Sequence, residues 1–445
     1  MTKGLGLIHQ LLFFILIGIA GCSSSKTTFS RRNLASLIES NPAFSQHHCG
    51  FVLYDPITEK TIYSYNGERY FTPASNTKIF TLYTSLRILG DSVPAFQYVT
   101  RPDSIIFWGT GDPSFLHPDL RSTRAYDFLN QRKDQLFIAS VPYEGEHLGP
   151  GWAWDDYNDA YSAEKSAFPV FGNFVRFGVK PDASVLVQPG FFASHLQVAS
   201  SSDNQQLVIE RSLFGNAFTY RPAPASGAFT RDVPFNTSAD LLLQLLCDTL
   251  NRKVTAIPFA PFPDAKTLYS VPSDSLYKRM MQESDNFLAE QLLLLCSSVL
   301  PGQFKGAKLS SEQTIAYAKK EWLADLPDKP VWIDGSGLSR YNLFTPRSLV
   351  ALWMKLYRQV PRERLFSLLA AGGRSGTLKN SYQQPVPFIY GKTGSMSNNH
   401  CLSGFLLTQS GQTLIFSFMH SNFVRPTAEI KQEMERILLE IHQNY

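Results

Sequence analysis

Residues 70–90 read YFTPASNTKIFTLYTSLRILG. Ile79, Leu82, Tyr83, Leu86 and Leu89 recur at helical spacing, and Gly90 is placed to end the run. A helix therefore starts at Ser75, and Lys78 lies three positions on. Residues at that spacing share a face, about 5–6 Å apart at Cβ. Two readings compete: a polar start to a buried helix, or a serine with its own base. A serine hydroxyl is a weak nucleophile until a base takes its proton. A lysine can do so only when part of it is neutral, which burial or nearby positive charge brings about. The helix N-terminus adds a positive dipole and free amides, which suit a developing oxyanion.

The pattern S-x-x-K occurs four times: Ser23/Lys26, Ser75/Lys78, Ser162/Lys165 and Ser275/Lys278. Context separates them. Ser23 lies in a polar run, "SSSKTT"; Ser162 in the polar "DDYNDAYSAEK"; Ser275 in "SVPSDSLYKRM", which suits an ordinary surface helix. Only Ser75 heads a long amphipathic helix that would bury the lysine's surroundings. Further along, "GKTG" (Gly391–Gly394) occurs once, in a predicted strand. Its lysine can stay charged and hold an anion or tune the serine's proton path, and its glycine permits close backbone approach. "SDN" occurs at Ser202–Asn204, between two β runs, and at Ser284–Asn286, just before the helical "FLAEQLLLL". The first reads as a turn and the second as the site candidate.

The chain of 445 residues is too long for one ordinary core, so two or three domains are expected. Hydrophobic content of 44% and charge content of 18% describe a folded protein. The net charge of +4, with no basic tract, argues against a nucleic-acid partner. At the N-terminus, Lys3 precedes the apolar "LLFFILIGIAG" (11–21), too short to span a bilayer as a helix. Residues 1–21 read as a signal peptide. The junction "IAGC" resembles a bacterial lipoprotein processing site, which implies cleavage before Cys22, lipid on its thiol, a membrane anchor and a tether over 22–28. By the same resemblance, Ser23 favours the outer membrane. An exported chain can form disulfides, but Cys49, Cys247, Cys296 and Cys401 allow three pairings. Cys247 and Cys296 lie in apolar helical runs and read as buried thiols. "HHC" (47–49) and "HC" (400–401) raise a metal, but no C-x-x-C or H-x-x-x-H spacing supports one.

Residues 50–68 read as a β-hairpin turning at Asp55-Pro56. From 92 to 233, short aromatic and β-branched runs alternate with turn residues, which predicts an inserted, mostly β domain. Helices return at 236–253, with Asn236 as N-cap, and at 285–300. "PFIYGKTGSM" and "CLSGFLLTQSGQTLIFSFMHSN" predict three strands, with a turn at Ser410-Gly411. A last helix presents Ile430, Met434, Ile437, Leu438 and Ile441 on one face. The expected architecture is a multi-domain α/β protein. Segments 29–91 and 234–445 share an antiparallel sheet flanked by helices, with 92–233 inserted between them.

The order Ser75-x-x-Lys78, Ser284-Asp285-Asn286, Lys392-Thr393-Gly394 resembles the motif set of penicillin-binding proteins and class A β-lactamases. The gap from Lys78 to Ser284 is 284 − 78 = 206 positions. Such a gap resembles the class C low-molecular-mass penicillin-binding proteins, the D-Ala-D-Ala carboxypeptidase/endopeptidases of the penicillin-binding protein 4 type. "GTGDPSF" (109–115), "GWAWDDYNDAYSAEKSAF" (151–168), "DGSGLSRYNLFTP" (334–346) and "GTLKN" (376–380) match that group. The insert is short for it, and Ser395 stands where many relatives carry threonine.

The resemblance implies a β-lactamase/transpeptidase-like fold with an α-helical subdomain. It implies peptidoglycan stem peptides and cross-links as substrates, β-lactams as inhibitors, and no cofactor or metal. By it, Ser75 is the nucleophile and Lys78 its base. Ser284 passes a proton to the leaving nitrogen, supported by Lys392. Asn286 binds the substrate amide. Amides of Ser75 and Ser395, next to Gly394, form the oxyanion hole, and hydroxyls of Thr393 and Ser395 take the terminal carboxylate. One rival is a β-lactamase, but no E-x-x-x-N segment of the class A kind lies between Asn286 and Lys392. The other is a non-catalytic cell-wall-binding lipoprotein of the same fold, which would not need Ser75. Asp334 and Arg340 read as loop structure, and Asp155 and Asp156 as a solvated turn.

Overall fold

The structure is a computed structural model that describes residues 30–182, 184–199, 208–221, 228–300 and 308–445. The signal segment, Cys22, the tether and the Ser202–Asn204 motif lie outside the described residues.

The two ends of the chain build one six-stranded sheet. Its order is Ala370–Ala371, Ile389–Met396, Asn399–Leu407, Thr413–Ser421, His48–Asp55, Lys60–Tyr65, and every pairing is antiparallel. The Asp55 carboxylate accepts the amides of Ile57 and Thr58, which makes the first hairpin turn. Gly411 makes the later one at φ 88°, a conformation that glycine adopts without steric cost.

Both faces of this sheet are covered. On one, Leu402, Leu414, Phe416 and Phe418 meet the helices Arg31–Ile38 and Thr427–Asn444. The last helix buries Ile430, Met434, Ile437, Leu438 and Ile441 completely, the face its periodicity predicted. Each such side chain contributes about 1.5–3 kcal/mol. A surface pair such as Arg436–Glu440 is worth about 0.3–0.5 kcal/mol, so packing decides where this helix docks. On the other face lie the helices Lys78–Ile88, Ser273–Gln282, Asn286–Val299, Ser311–Glu321 and Pro346–Gln359. Asn286–Val299 is buried from residue 286 to 298, as suits a helix apolar on nearly every side.

The inserted region has a five-stranded sheet ordered Val254–Pro258, Gln135–Ser140, Ser104–Gly109, Ser92–Arg101, Lys266–Pro272. Two three-stranded sheets, drawn from residues 174–234, pack beside it. Strand pairing carries this region past residue 233, where the sequence placed its end. Val254–Pro258 pairs with Gln135–Ser140, Lys266–Pro272 pairs with Ser92–Arg101, and helix Ala239–Leu250 packs into the same core. The cap of that helix is Ser238, whose hydroxyl accepts the Leu241 amide at 3.1 Å. Asn236, the expected cap, instead exchanges two hydrogen bonds with Asn216. Cys49, Cys247, Cys296 and Cys401 are free thiols. Cys296 is buried as expected, whereas Cys247 is only partly so.

Candidate active site

Ser75 sits in a tight 3-10 turn, Ala74–Thr77, and the α-helix begins at Lys78 rather than at the serine. Ala74 holds φ 46°, a strained conformation for a residue with a side chain. Its carbonyl accepts the Thr77 hydroxyl at 2.9 Å. Gly337 packs so close that a Cβ there would lie 1.9 Å from the Ala74 oxygen. The loop 334–339 thus supports the turn that presents Ser75.

Lys78 is fully buried. Its Nζ lies 2.9 Å from Ser75 Oγ, 2.5 Å from Asn286 Oδ1 and 2.7 Å from the Ser336 carbonyl. Asn286 Oδ1 and the Ser336 carbonyl can only accept. A neutral lysine keeps two N–H bonds, which those two oxygens take, so its lone pair faces Ser75. Burial lowers the Lys78 pKa to about 8, against the opposing pull of Asp334, Glu290 and Asp285. With that value roughly a tenth of the lysine is neutral at pH 7. The arrangement can deprotonate Ser75 at physiological pH.

Ser284 stands at φ 60°, on the sharp corner between two helices. Asp285 caps the second helix by accepting the Leu288 amide, and it also accepts Arg279. Asn286 follows in the first turn of the helix. Its Nδ2 donates to the Tyr161 carbonyl of the insert at 3.2 Å, leaving one N–H of that amide for a ligand.

Lys392 is also fully buried, and its Nζ contacts Ser284 Oγ at 2.9 Å and the Thr393 carbonyl at 2.8 Å. The K-T-G pattern alone leaves this lysine free to stay charged. Burial, and then the charge of Lys78, lower its pKa well below the ordinary value, so the ammonium form needs an anion nearby. Gly394 meets the serine turn: a Cβ there would lie 2.5 Å from the Pro73 oxygen and 2.9 Å from the Ser75 nitrogen. The strand Ala370–Ala371 pairs only as far as Gly391, so from Lys392 onward this edge has no strand partner among the described residues. Thr393 Oγ1 lies 2.7 Å from Thr377 Oγ1, and Ser395 Oγ lies 2.7 Å from His400 Nδ1. Thr377, Thr393, Ser395, His400 and Lys431 line a cavity of about 310 Å³ beside this edge.

The structure therefore joins Ser75, Lys78 and Asn286 in one set of side-chain contacts and Ser284 with Lys392 in another, and brings Gly394 against the serine turn. Thr393 and Ser395 line the adjoining cavity. The other S-x-x-K matches do not form such a pair. Ser275 and Lys278 are exposed. Lys165 is buried 4.0 Å from Glu290, and Ser23/Lys26 lies outside the described residues. Among the described residues, no group of three or more His, Cys, Asp or Glu is placed to hold a metal.

Several supporting residues were not read from the sequence. Asn76 Nδ2 donates to the Lys392 carbonyl at 3.1 Å, and its Oδ1 accepts Ser403 Oγ at 2.6 Å; Trp353 Nε1 in turn donates to Ser403. These bonds tie the serine turn to the K-T-G strand. The one available signal was a polar residue, Ser403, inside an apolar strand. Gln291 bonds the Gly111 and Ser166 backbones, and Glu290 accepts the Ser336 amide. The segments 109–115 and 151–168 thus pack on the helix that carries Asn286. Asp334 accepts Trp152, Gly337, Ser339 and Asn342. It is a loop organiser, as expected, whose charge also favours the Lys78 ammonium.

The chain is similar to two curated carboxypeptidases over most of its length. It is 24% identical to D-alanyl-D-alanine carboxypeptidase DacB of Haemophilus influenzae, over 93% of this chain and 92% of that one. It is 25% identical to D-alanyl-D-alanine carboxypeptidase of Actinomadura sp., over 92% and 84%. Among solved structures, penicillin binding protein 4 (dacB) of Haemophilus influenzae superposes with a TM-score of 0.71 at 19% identity, covering 93% of this chain and 99% of that one. The same protein in complex with a β-lactam gives 0.67 at 18% identity, with the same coverage. These likenesses show the fold. The family model of the D-Ala-D-Ala carboxypeptidase 3 (S13) peptidases matches residues 30–441, and the chain belongs to that family.

Proposed function

We propose that the chain performs the D-Ala-D-Ala carboxypeptidase chemistry of its family through an acyl-enzyme at Ser75. The observation that carries this reading is the set of Lys78 Nζ contacts, two to oxygens that can only accept and the third to Ser75 Oγ at 2.9 Å. Neutral Lys78 takes the hydroxyl proton as Ser75 Oγ attacks the carbonyl between the two D-alanines. The amides of Ser75 and Ser395 stabilise the oxyanion. Ser284, contacted by Lys392, hands a proton to the departing D-alanine nitrogen. Asn286 holds the substrate amide with its remaining N–H, and the hydroxyls of Thr393 and Ser395 receive the terminal carboxylate. Water then releases the shortened stem peptide. Cross-linked stem peptides present the same D-alanyl carbonyl, so the site also splits them, and β-lactams acylate Ser75.

The rest of the reading places this enzyme in the cell envelope, facing the periplasm, with an outer-membrane lipid anchor on Cys22. Its catalytic parts are residues 29–91 and about 273–445, around an insert of 92–272. Purified monomeric and cross-linked muropeptides test the activity. Wild type should release D-alanine and split cross-links, and Ser75→Ala should do neither. Intact muropeptides with wild type would overturn the activity. Radiolabelled palmitate should enter wild type and not Cys22→Ala.

A further inference from the structure

Ser395 and His400 oppose each other across the hairpin that carries the K-T-G strand. Ser395 Oγ and His400 Nδ1 are 2.7 Å apart. His400 is 3% exposed. Burial, and then the charge of Lys431, bring its pKa down to about 3, so the ring is neutral. A neutral imidazole has one N–H and one lone pair.

Two arrangements remain for the Ser395–His400 contact. If Nδ1 carries the lone pair, the Ser395 hydroxyl spends its hydrogen on the ring. Ser395 then shows only lone pairs to the cavity, and lone pairs repel a carboxylate. If Nδ1 carries the hydrogen, the ring donates to Ser395 Oγ, and the hydroxyl hydrogen is free to point into the cavity that both residues line. Only this second arrangement lets Ser395 donate to an anion. The neighbouring Thr393 hydroxyl has a hydroxyl partner of its own, Thr377 Oγ1 at 2.7 Å, and can donate to the carboxylate when Thr377 is the donor in that pair.

We propose that His400 is a positioning residue for the substrate's terminal carboxylate: held as the Nδ1–H tautomer, it donates to Ser395 Oγ and aims the Ser395 hydroxyl hydrogen at that carboxylate. This rests on the assignment of Ser395 to carboxylate binding made above. It gives a role to the His400-Cys401 pair, which the sequence raised as a metal candidate without spacing to support it.

The test is a double-mutant cycle in the full chain, with Ser395→Ala, His400→Leu and the double variant. Each is assayed on a D-Ala-D-Ala-ended peptide and on an ester acyl donor whose leaving group has no carboxylate. Loss of one hydrogen bond to a charged group predicts that His400→Leu raises KM for the peptide about tenfold, with a much smaller effect on the ester. His400→Asn, whose amide can donate, should recover most of the loss. The double variant should be no worse than Ser395→Ala. Additive losses in the double variant, or equal losses on the two substrates, would overturn the proposal. As a second readout, ¹⁵N-histidine NMR of the benzylpenicillin-acylated wild type should show His400 Nδ1 protonated; an unprotonated Nδ1 there overturns it too. A wild type that releases no D-alanine would instead remove the functional reading beneath the proposal.

Discussion

The Asn76 side chain donates to the main-chain carbonyl of Lys392, 316 positions away, at 3.1 Å. This bond ties the Ser75 turn to the K-T-G strand. Asn76→Ala leaves the Lys392 carbonyl and the Ser403 hydroxyl short of a partner in a buried site. Each orphaned group costs about 1–3 kcal/mol. The variant should melt at lower temperature by calorimetry, and penicillin should acylate it more slowly. Unchanged acylation would remove Asn76 from the positioning role.

Gly394 leaves no room for a methyl group. A Cβ there would lie 2.5 Å from the Pro73 oxygen and 2.9 Å from the Ser75 nitrogen, both backbone atoms. Gly394→Ala should push the strand and the serine turn apart. Acylation should fall at least about a hundredfold, the size of effect known for misplacement by about 1 Å. Circular dichroism should show the fold retained.

Ser284 separates conformation from chemistry. Its φ of 60° favours glycine over alanine by roughly 1–2 kcal/mol. Ser284→Gly should therefore be more stable than Ser284→Ala in thermal denaturation, while both lose D-alanine release. Retained hydrolysis in either variant would remove Ser284 from proton delivery.

The acylation rate should depend on pH through Lys78. Its folded pKa of about 8 lies below the ordinary 10.5, and in the proposed mechanism the neutral form is the base. The rate should rise about tenfold per pH unit below 8 and level off above it. Stopped-flow acylation with a fluorescent penicillin reads this directly. A rate that falls as pH rises from 6 to 8 would contradict Lys78 as base.

Ile437, fully buried under the last helix, is remote from this chemistry. Ile437→Ala should cost about 2–5 kcal/mol through the cavity it leaves. The melting temperature should fall, while the folded enzyme keeps its acylation rate.

Much of this arrangement could be read in the chain. The face Ile430–Ile441 follows from helical periodicity, because one side of that helix is buried, and the strands around Lys392 follow from β-rich apolar runs, because both faces of their sheet are covered. Ser75 was separable from three other S-x-x-K matches because only its helix is apolar enough to bury a lysine. The pairing of strands Val254–Pro258 and Lys266–Pro272 was not legible, because their partners lie more than a hundred residues earlier and no local pattern encodes that pairing. The Asn236 cap failed because Asn236 and Ser238 are both good caps, and the pairing of Asn236 with Asn216 decided between them. The roles of Asn76, Ser403 and His400 depend on contacts across strands and turns, which side-chain type alone does not specify.

The central claim is that Ser75 is the acylated residue. Peptide mass mapping of the protein after reaction with benzylpenicillin tests it most directly. The account predicts one penicilloyl adduct, on Ser75, absent from Ser75→Ala. An adduct on another residue, or labelling that persists in Ser75→Ala, would contradict it.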